Sequence, residues 1–106
     1  MINIKFKPET LELEIKGHAE HSEKGEDIVC SAISTLFYTL GETLNQSISM
    51  QEQPIEFKDE DGKGYLRSYP KREYEGNIAC IYRTILIGME LVAVNYPKNV
   101  TFKVGG

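Results

Sequence analysis

The sequence changes its hydrophobic period twice, from two residues to between three and four, and this change limits the fold more than any other feature. Residues 2–7 (INIKFK) and 11–16 (LELEIK) alternate apolar and polar side chains, which is typical of half-buried strands. Residues 8–10 separate the two runs and predict a turn. From Asp27 the apolar residues recur every three or four positions, which predicts an amphipathic helix that ends near residue 47.

The same order of elements occurs a second time. Two more short strands, a helix and a closing strand are predicted at residues 54–58, 65–69, 75 to about 95 and 99–104. The segment DEDGKG between the two strands is rich in residues that tolerate tight turns. The order ββαββαβ predicts one α+β domain over residues 1–106, with a single mixed or antiparallel sheet and two helices on one face, in two layers.

The second predicted helix is apolar on almost every side. Beyond the stripe that is expected to face the sheet, it carries further apolar residues: Cys80, Leu86, Ile87, Leu91 and Val94. A helix of this kind is usually covered on more than one side. In a domain this small a second copy of the chain is the expected cover, and we predict a homodimer through this helix.

Composition narrows the range of partners. The 106 residues include 12 basic and 16 acidic ones, with a formal net charge of −4 and no basic block. Since affinity for nucleic acid depends mainly on basic residues that neutralise phosphates, direct nucleic-acid binding is not expected. No apolar run approaches the ~20 residues of a membrane span and the first ten residues lack the apolar core of a secretion signal, so a cytoplasmic location without membrane association is expected. In that compartment the two cysteines are expected to be free thiols.

Residues 17–34, GHAEHSEKGEDIVCSAIS, hold the side chains that could carry chemistry. With Asp27 as the N-cap of the first helix, Cys30 falls in the first helical turn. Free backbone N–H groups and the positive end of the helix dipole favour the thiolate there, and the thiolate is the nucleophilic form of cysteine. Cys30 is also predicted to border the core beside Ser34 and to open toward a cleft.

His18 is the candidate general base. It ends the second strand and follows Gly17, which lets the backbone turn or approach a neighbour closely. If the polar loop 19–26 folds back, His18 comes within hydrogen-bond reach of Cys30, and the loop could close over a bound peptide. From the residues alone the ordinary interpretation stands beside this one: a small buried cysteine and a surface histidine.

Asp27 has two candidate roles, and the residues do not separate them. As a helix cap it places a negative charge close to Cys30, which disfavours the thiolate. In the other role it orients His18 as the third member of a triad.

Metal binding is the weaker alternative. The candidate zinc ligands are His18, His21, Cys30 and Cys80. They lack the paired short spacings that are typical of zinc sites. A calcium loop that begins at Asp59 would need a glutamate at its twelfth position, where the sequence has Pro70. No cofactor and no metal are therefore expected.

The elements GHA and GEDIVCSAIS, at the spacing they have here, resemble the signature of the ribosomal-processing cysteine protease (Prp) family. The resemblance extends over the whole chain in length and in element order. It implies a homodimeric cysteine endopeptidase that removes the N-terminal extension of a large-subunit ribosomal protein and cuts after a hydrophobic, Phe-rich motif. The alternative that stays open is a non-catalytic ribosome-assembly or protein-binding module with the same fold.

The resemblance also implies roles for single residues. Cys30 matches the nucleophile of the family and His18 matches its general base. Gly17, Asp27 and Ser34 occupy further motif positions, whose roles the resemblance does not define. The loop EHSEK is more polar here than in many relatives, so its contacts with a substrate are not implied.

Overall fold

The computed structural model describes residues 1–17 and 24–105, which form a five-stranded sheet and two long helices. The elements in chain order are β1 (Ile2–Lys7), β2 (Glu12–Lys16), α1 (Lys24–Gln46), β3 (Glu56–Glu60), β4 (Lys63–Arg67), α2 (Glu75–Asn95) and β5 (Val100–Val104). Short 3-10 turns precede β3 and α2, at Ile48–Met50 and Arg72–Tyr74. The predicted order ββαββαβ is confirmed.

The sheet is mixed, with the strand order β3-β4-β2-β1-β5. β1 and β5 are parallel, and the other three pairs of neighbours are antiparallel. Ile4 lies opposite Ile15 on one side and opposite Phe102 on the other. In the described part of the chain, β3 and β5 are therefore the two edges of the sheet.

The alternation of the strands separates an apolar face from a polar one. On β1, Ile2, Ile4 and Phe6 are buried, whereas Lys5 between them is not. The apolar face joins one core with both helices, whose buried members are Val29, Ile33, Phe37, Leu40, Leu44, Ile78, Tyr82, Ile85, Leu86 and Met89. The α+β architecture with both helices on one face is thus confirmed, and no element formed by residues 1–17 or 24–105 covers the opposite face of the sheet.

Both hairpin turns differ in length from the predictions. The β3–β4 turn consists of Asp61 and Gly62 alone, and Gly62 has a φ of 74°, which glycine adopts without strain. The polar segment around this turn therefore belongs to the strands, where its charged side chains are exposed. In the β1–β2 turn, Leu11 has a φ of 57°, and β2 begins one residue after it.

The first helix begins at Lys24, three residues before the predicted cap. Asp27 is the fourth residue of α1, so the prediction that Asp27 is the N-cap is wrong. Lys24 and Glu26 are good helix formers, which lets the helix extend past Gly25 in the N-terminal direction. As a consequence, residues 24–26 of the predicted loop 19–26 are helical, and residues 19–23 lie outside the described residues.

Two glycines make room for aromatic rings between α1 and the sheet. A Cβ at Gly41 would overlap the ring of Phe57, and a Cβ at Gly64 would lie 3.0 Å from the ring of Phe37. The rings of Phe37 and Phe57 stack with their centroids 4.9 Å apart. Gly41 lowers the helix propensity of α1, and this close packing explains its presence inside the helix.

One segment, Arg72–Asn95, is long and apolar enough to cross a membrane, by length and composition only. The prediction considered uninterrupted apolar runs, and none of them approaches this length. The segment is nevertheless apolar on average, although the charged residues Arg83 and Glu90 interrupt it. One side of the segment belongs to the core: Ile78 and Met89 are fully buried on it. Ile87, Leu91 and Val94 are exposed, as the dimer prediction requires, whereas Leu86, which was predicted to lie with them, is buried.

Candidate active site

An open cleft of about 380 Å³ lies between the N-terminal half of α1, the end of β2 and the β3–β4 hairpin. Its lining includes three residues of the motif, Gly17, Cys30 and Ser34. The floor is apolar and is formed by Ile2, Ile15, Ile33 and Phe37. The structure thus brings together, in one cavity, residues that are seventeen positions apart in the sequence.

Gly17 fixes the course of the chain where β2 ends at the cleft. Its φ is 99°, and a Cβ at this position would collide with the carbonyl oxygen of Met1. Its N–H donates to the carbonyl of Gly62 at 2.9 Å, which ties the end of β2 to the β3–β4 turn. Both the backbone conformation and the close approach require glycine. His18 follows Gly17 in the sequence and lies outside the described residues.

Cys30 is half-buried, packs against the core and opens into the cleft. It is the seventh residue of α1, so the prediction that it lies in the first helical turn is wrong. The unpaired N–H groups of a helix belong to its first four residues. The backbone N–H of Cys30 is thus committed to the helix, and the helix dipole acts on its thiol from a full turn away.

Ser34 lies one helical turn after Cys30 on the same flank of α1 and lines the same cleft. Its position agrees with the prediction that it stands beside the cysteine. Asp27, by contrast, precedes Cys30 by three residues within the same helix, where its backbone is part of the first turn. The structure therefore places Gly17, Cys30 and Ser34 in one cleft. The Asp27 carboxylate is not among the side chains that the structure describes.

Consecutive carboxylates form the wall of the cleft opposite α1. Asp59, Glu60 and Asp61 all line it, and Lys63 is the basic residue among its lining side chains. These four side chains are exposed. The described part of the cleft thus presents a net negative rim above an apolar floor. The sequence analysis treated this segment only as a turn and missed its place in the site.

An aromatic group borders the cleft one turn further along α1. Tyr38 is 50% exposed and Phe57 is 36% exposed, and their ring centroids are 6.0 Å apart. Tyr38 and Ser34 also line a second, more open groove along the hydroxyl-rich outer face of α1, with Ser31, Thr35, Thr39, Glu42, Thr43, Gln46 and Ser47. The spacing Cys30, Ser34, Tyr38 marks one helix flank in the sequence, and this signal could have revealed the groove.

The residues of the sheet whose pKa values are shifted, Glu12 and Tyr65, lie on its open face, away from the cleft. Tyr65 donates a hydrogen bond to Glu12 at 2.8 Å. The nearby Thr10 side chain and the hydrogen bond from Tyr65 lower the pKa of Glu12. Burial and the bond to Glu12 raise the pKa of Tyr65 to about 12. This pair joins neighbouring strands β2 and β4, so we interpret it as structural.

The second cysteine is separate from the site. Cys80 lies on α2 and is exposed, so it is not a core residue of the single chain. Both cysteines are free thiols, as predicted. Within residues 1–17 and 24–105, no three His, Cys, Asp or Glu side chains converge in a way that could hold a metal ion. His18 and His21, the other candidate zinc ligands, are not part of that description.

Comparison with known proteins agrees with the fold and with the family that the sequence resembles. A family model described as cysteine protease Prp matches residues 1–101. The ribosomal processing cysteine protease Prp of Staphylococcus aureus is 30% identical over 86 residues, which are 79% of this chain and 76% of the relative.

Two solved structures of an essential ribosomal processing protease Prp from S. aureus have the same fold. The one in complex with a covalently linked product peptide superposes with a TM-score of 0.76 at 22% identity, covering 98% of this chain and 99% of the other. The one in complex with a substrate peptide gives a TM-score of 0.69 at 19% identity, covering 97% and 96%.

These findings place the chain in the class of cysteine peptidases. Within that class it belongs to the cysteine protease Prp family.

Proposed function

We propose that the chain is a ribosomal-processing endopeptidase that removes the N-terminal extension of a large-subunit ribosomal protein and cuts after a hydrophobic, Phe-rich motif. The observation that carries the proposal is the convergence of Gly17, Cys30 and Ser34 on one open cleft with an apolar floor. The name of the S. aureus relative supports ribosomal processing as the role. An apolar floor beside a thiol suits a peptide with apolar side chains near its cleaved bond.

In this proposal Cys30 is the nucleophile and His18 is the general base. The thiolate of Cys30 attacks the carbonyl carbon of the scissile bond, and the peptide C–N bond breaks as His18 gives its proton to the leaving amine. Water, deprotonated by the same histidine, then attacks the thioester and releases the acid product together with the free thiol. Gly17 is a positioning residue, because it fixes the backbone that leads into His18.

The negative charge that develops on the substrate carbonyl oxygen needs hydrogen-bond donors. The unpaired N–H groups at the start of α1 are poor candidates, because Cys30 lies in the second turn of the helix. Ser34 offers a hydroxyl on the same flank and in the same cleft. We assign Ser34 as one donor to this oxygen or to the neighbouring substrate backbone.

The proposed enzyme is a homodimer that associates through the outer face of α2. Ile87, Leu91 and Val94 are all exposed there, with Val94 at 69%. Exposed apolar residues that cluster on one helix face are typical of an association surface. The chain acts in the cytoplasm without a cofactor, on a protein substrate, and binds neither nucleic acid nor membrane directly.

The test is cleavage of the precursor. The full-length protein is incubated with the large-subunit ribosomal protein of the same organism that carries an N-terminal extension, and the substrate mass is followed by mass spectrometry. We expect the loss of one N-terminal segment with wild type and with Cys80→Ala, and no loss with Cys30→Ala. An intact precursor after incubation with wild type, or equal cleavage by Cys30→Ala, would refute the proposed function.

A further inference from the structure

We propose that the substrate binds as an extended strand along the free edge of β3, which adds a sixth strand to the sheet and leads the scissile bond to Cys30. The inference rests on the proposed function, because it takes a peptide as the occupant of the cleft. Among the residues that the structure describes, β3 pairs with β4 alone and is an edge of the sheet, and the strand is exposed over residues 57–60. Strand addition to such an edge is a common mode of peptide recognition.

The hydrogen-bond pattern of the hairpin identifies the free backbone groups. Glu60 and Lys63 flank the two-residue turn and are opposite each other, so they exchange hydrogen bonds within the hairpin. Antiparallel pairs alternate between bonded and non-bonded. Lys58 therefore also points its backbone groups toward β4, whereas the N–H and C=O groups of Phe57 and Asp59 point to the free edge.

The side chains at the same two positions face the helical layer. Residues 57 and 59 alternate with the open-face residues of β3, and Phe57 contacts Tyr38 and the surface of Gly41 on α1. Asp59 lines the cleft together with Cys30. A peptide paired with β3 would thus lie beneath the flank of α1 that carries Cys30, Ser34 and Tyr38.

The dimensions of the two elements agree with this path. From Cys30 to Tyr38 the helix rises by about 12 Å, at about 1.5 Å per residue. A strand covers a similar length in roughly four residues, at about 3.4 Å each. A peptide segment of this length therefore reaches from the exposed rings of Tyr38 and Phe57 to the thiol.

The charge of the edge indicates the kind of peptide. Asp59, Glu60 and Asp61 give the cleft end of β3 three consecutive carboxylates, against one nearby ammonium group on Lys63. Charged side chains on an edge strand also discourage pairing between copies of the same protein. For a substrate the same charge favours a peptide with lysine or arginine near the cleaved bond and an apolar residue at the aromatic rings.

Hydrogen exchange at single amides tests the inference directly. The probe is a synthetic peptide that spans the bond cut in the ribosomal-protein precursor, added in saturating amount to full-length Cys30→Ala. We expect exchange at the amides of Phe57 and Asp59 to slow at least tenfold when peptide binds. The amides of Lys58 and Glu60, which are already in the hairpin, and that of Val104 on the opposite edge strand should change by less than twofold.

Two results would overturn the inference, and they are distinguishable. If wild type cuts the peptide and Cys30→Ala binds it, but the amides of Phe57 and Asp59 still exchange at their free rates, strand addition is wrong and the proposed function stands. If wild type cuts neither precursor nor peptide, the proposed function fails and the inference fails with it.

A scan of the peptide backbone gives a second measurement that does not depend on any protein variant. Single N-methylation removes one N–H of the peptide at a time. Strand pairing with β3 predicts an alternating result: methylation at every second residue raises KM at least tenfold, and methylation at the residues between raises it much less. Uniform sensitivity, or none, contradicts pairing with the edge.

Discussion

The two helices are similar in length, yet they divide their surfaces differently. The apolar residues of α1 are gathered on the side that packs against the sheet, and its outer side is rich in serine and threonine. α2 is buried on one side and carries Ile87, Leu91 and Val94 in the open on the other. The distribution of apolar residues on α1 is that of an ordinary amphipathic helix, whereas α2 carries more apolar surface than the core of one chain buries.

The difference between the helices indicates that a small domain can assign its active site and its association surface to different helices. α1 presents Cys30, Ser34 and Tyr38 on one flank toward the cleft and the β3 edge. The outer face of α2 lines no part of that cleft among the residues described. We interpret α1 as the helix of the active site and α2 as the helix of association, so substitutions on the two should affect different measurements.

The largest contrast is expected between the two cysteines. Cys30→Ser should lower the cleavage rate at least a thousandfold, because a hydroxyl at the nucleophile position is much weaker than a thiolate. Cys80→Ser on α2 should retain activity within about twofold, since its side chain is exposed and lines no part of the cleft described. The measurement is kcat/KM on the precursor peptide.

Alkylation sharpens the same contrast without a substrate. Exposure alone would make Cys80 the faster thiol, because Cys30 is half-buried. If His18 stabilises the thiolate of Cys30, iodoacetamide at pH 6 should modify Cys30 at least about tenfold faster than Cys80. The advantage should disappear in His18→Ala. Faster modification of Cys80 in wild type would argue against an activated nucleophile.

Association should depend on α2 and not on α1. Leu91→Asp places a charge at a 58% exposed apolar position on the outer face of α2, and Tyr38→Asp does the same at a 50% exposed position on α1. We expect light scattering after size-exclusion chromatography to give twice the 12.0 kDa chain mass for wild type and for Tyr38→Asp, and the single-chain mass for Leu91→Asp. A monomeric wild type would refute the dimer.

The sequence predicted the element order and both helix stripes because hydrophobic period is a local property. It misplaced the start of α1, since Lys24 and Glu26 carry no apolar signal and the capping pattern pointed to Asp27. The position of Cys30 in the helix was therefore shifted by a turn. Gly17 and Ser34, two further positions of the motif, nevertheless line the cleft with Cys30.

Other parts of the site depend on tertiary contacts that no local pattern reports. The acidic wall at Asp59 became visible only when the β3–β4 hairpin was placed opposite α1. The same holds for Gly41. In the sequence it only lowers the helix propensity of α1, and its contact with the ring of Phe57 is visible only in the folded structure. Strand order also decides which strand is an edge, and neither period nor composition specifies it.

Two glycine substitutions compare the packing of the helices. In Gly41→Ala the new Cβ would overlap the ring of Phe57, so the ring must leave its stack on Phe37. The overpacking cost of about 1–3 kcal/mol is partly offset by the propensity gain of about 1 kcal/mol, and a net loss of stability of up to about 2 kcal/mol is expected. In Gly76→Ala on α2 the new Cβ meets no described atom within 4 Å, so the stability of the fold should rise by up to about 1 kcal/mol. Urea unfolding measures both, and a stabilising Gly41→Ala would show that the contact with Phe57 is loose.

The smallest effect concerns one tyrosine on each helix. Tyr82 on α2 is buried and donates a hydrogen bond to the hydroxyl of Ser68 at 3.0 Å, whereas Tyr38 on α1 is half exposed. Tyr82→Phe leaves the buried Ser68 without this partner and should cost about 1 kcal/mol. Tyr38→Phe should change stability by less than about 0.5 kcal/mol.

The contribution of Tyr82 to stability should also depend on pH in alkaline solution. Burial raises the pKa of Tyr82 above its ordinary value of 10.0. Its contribution is therefore fully present below pH 10 and is lost as the pH rises further, because the unfolded chain ionises first. Thermal unfolding from pH 8 to 11 should show a smaller alkaline loss of Tm in Tyr82→Phe than in wild type. Equal alkaline losses in the two proteins would contradict the role assigned to the buried phenol.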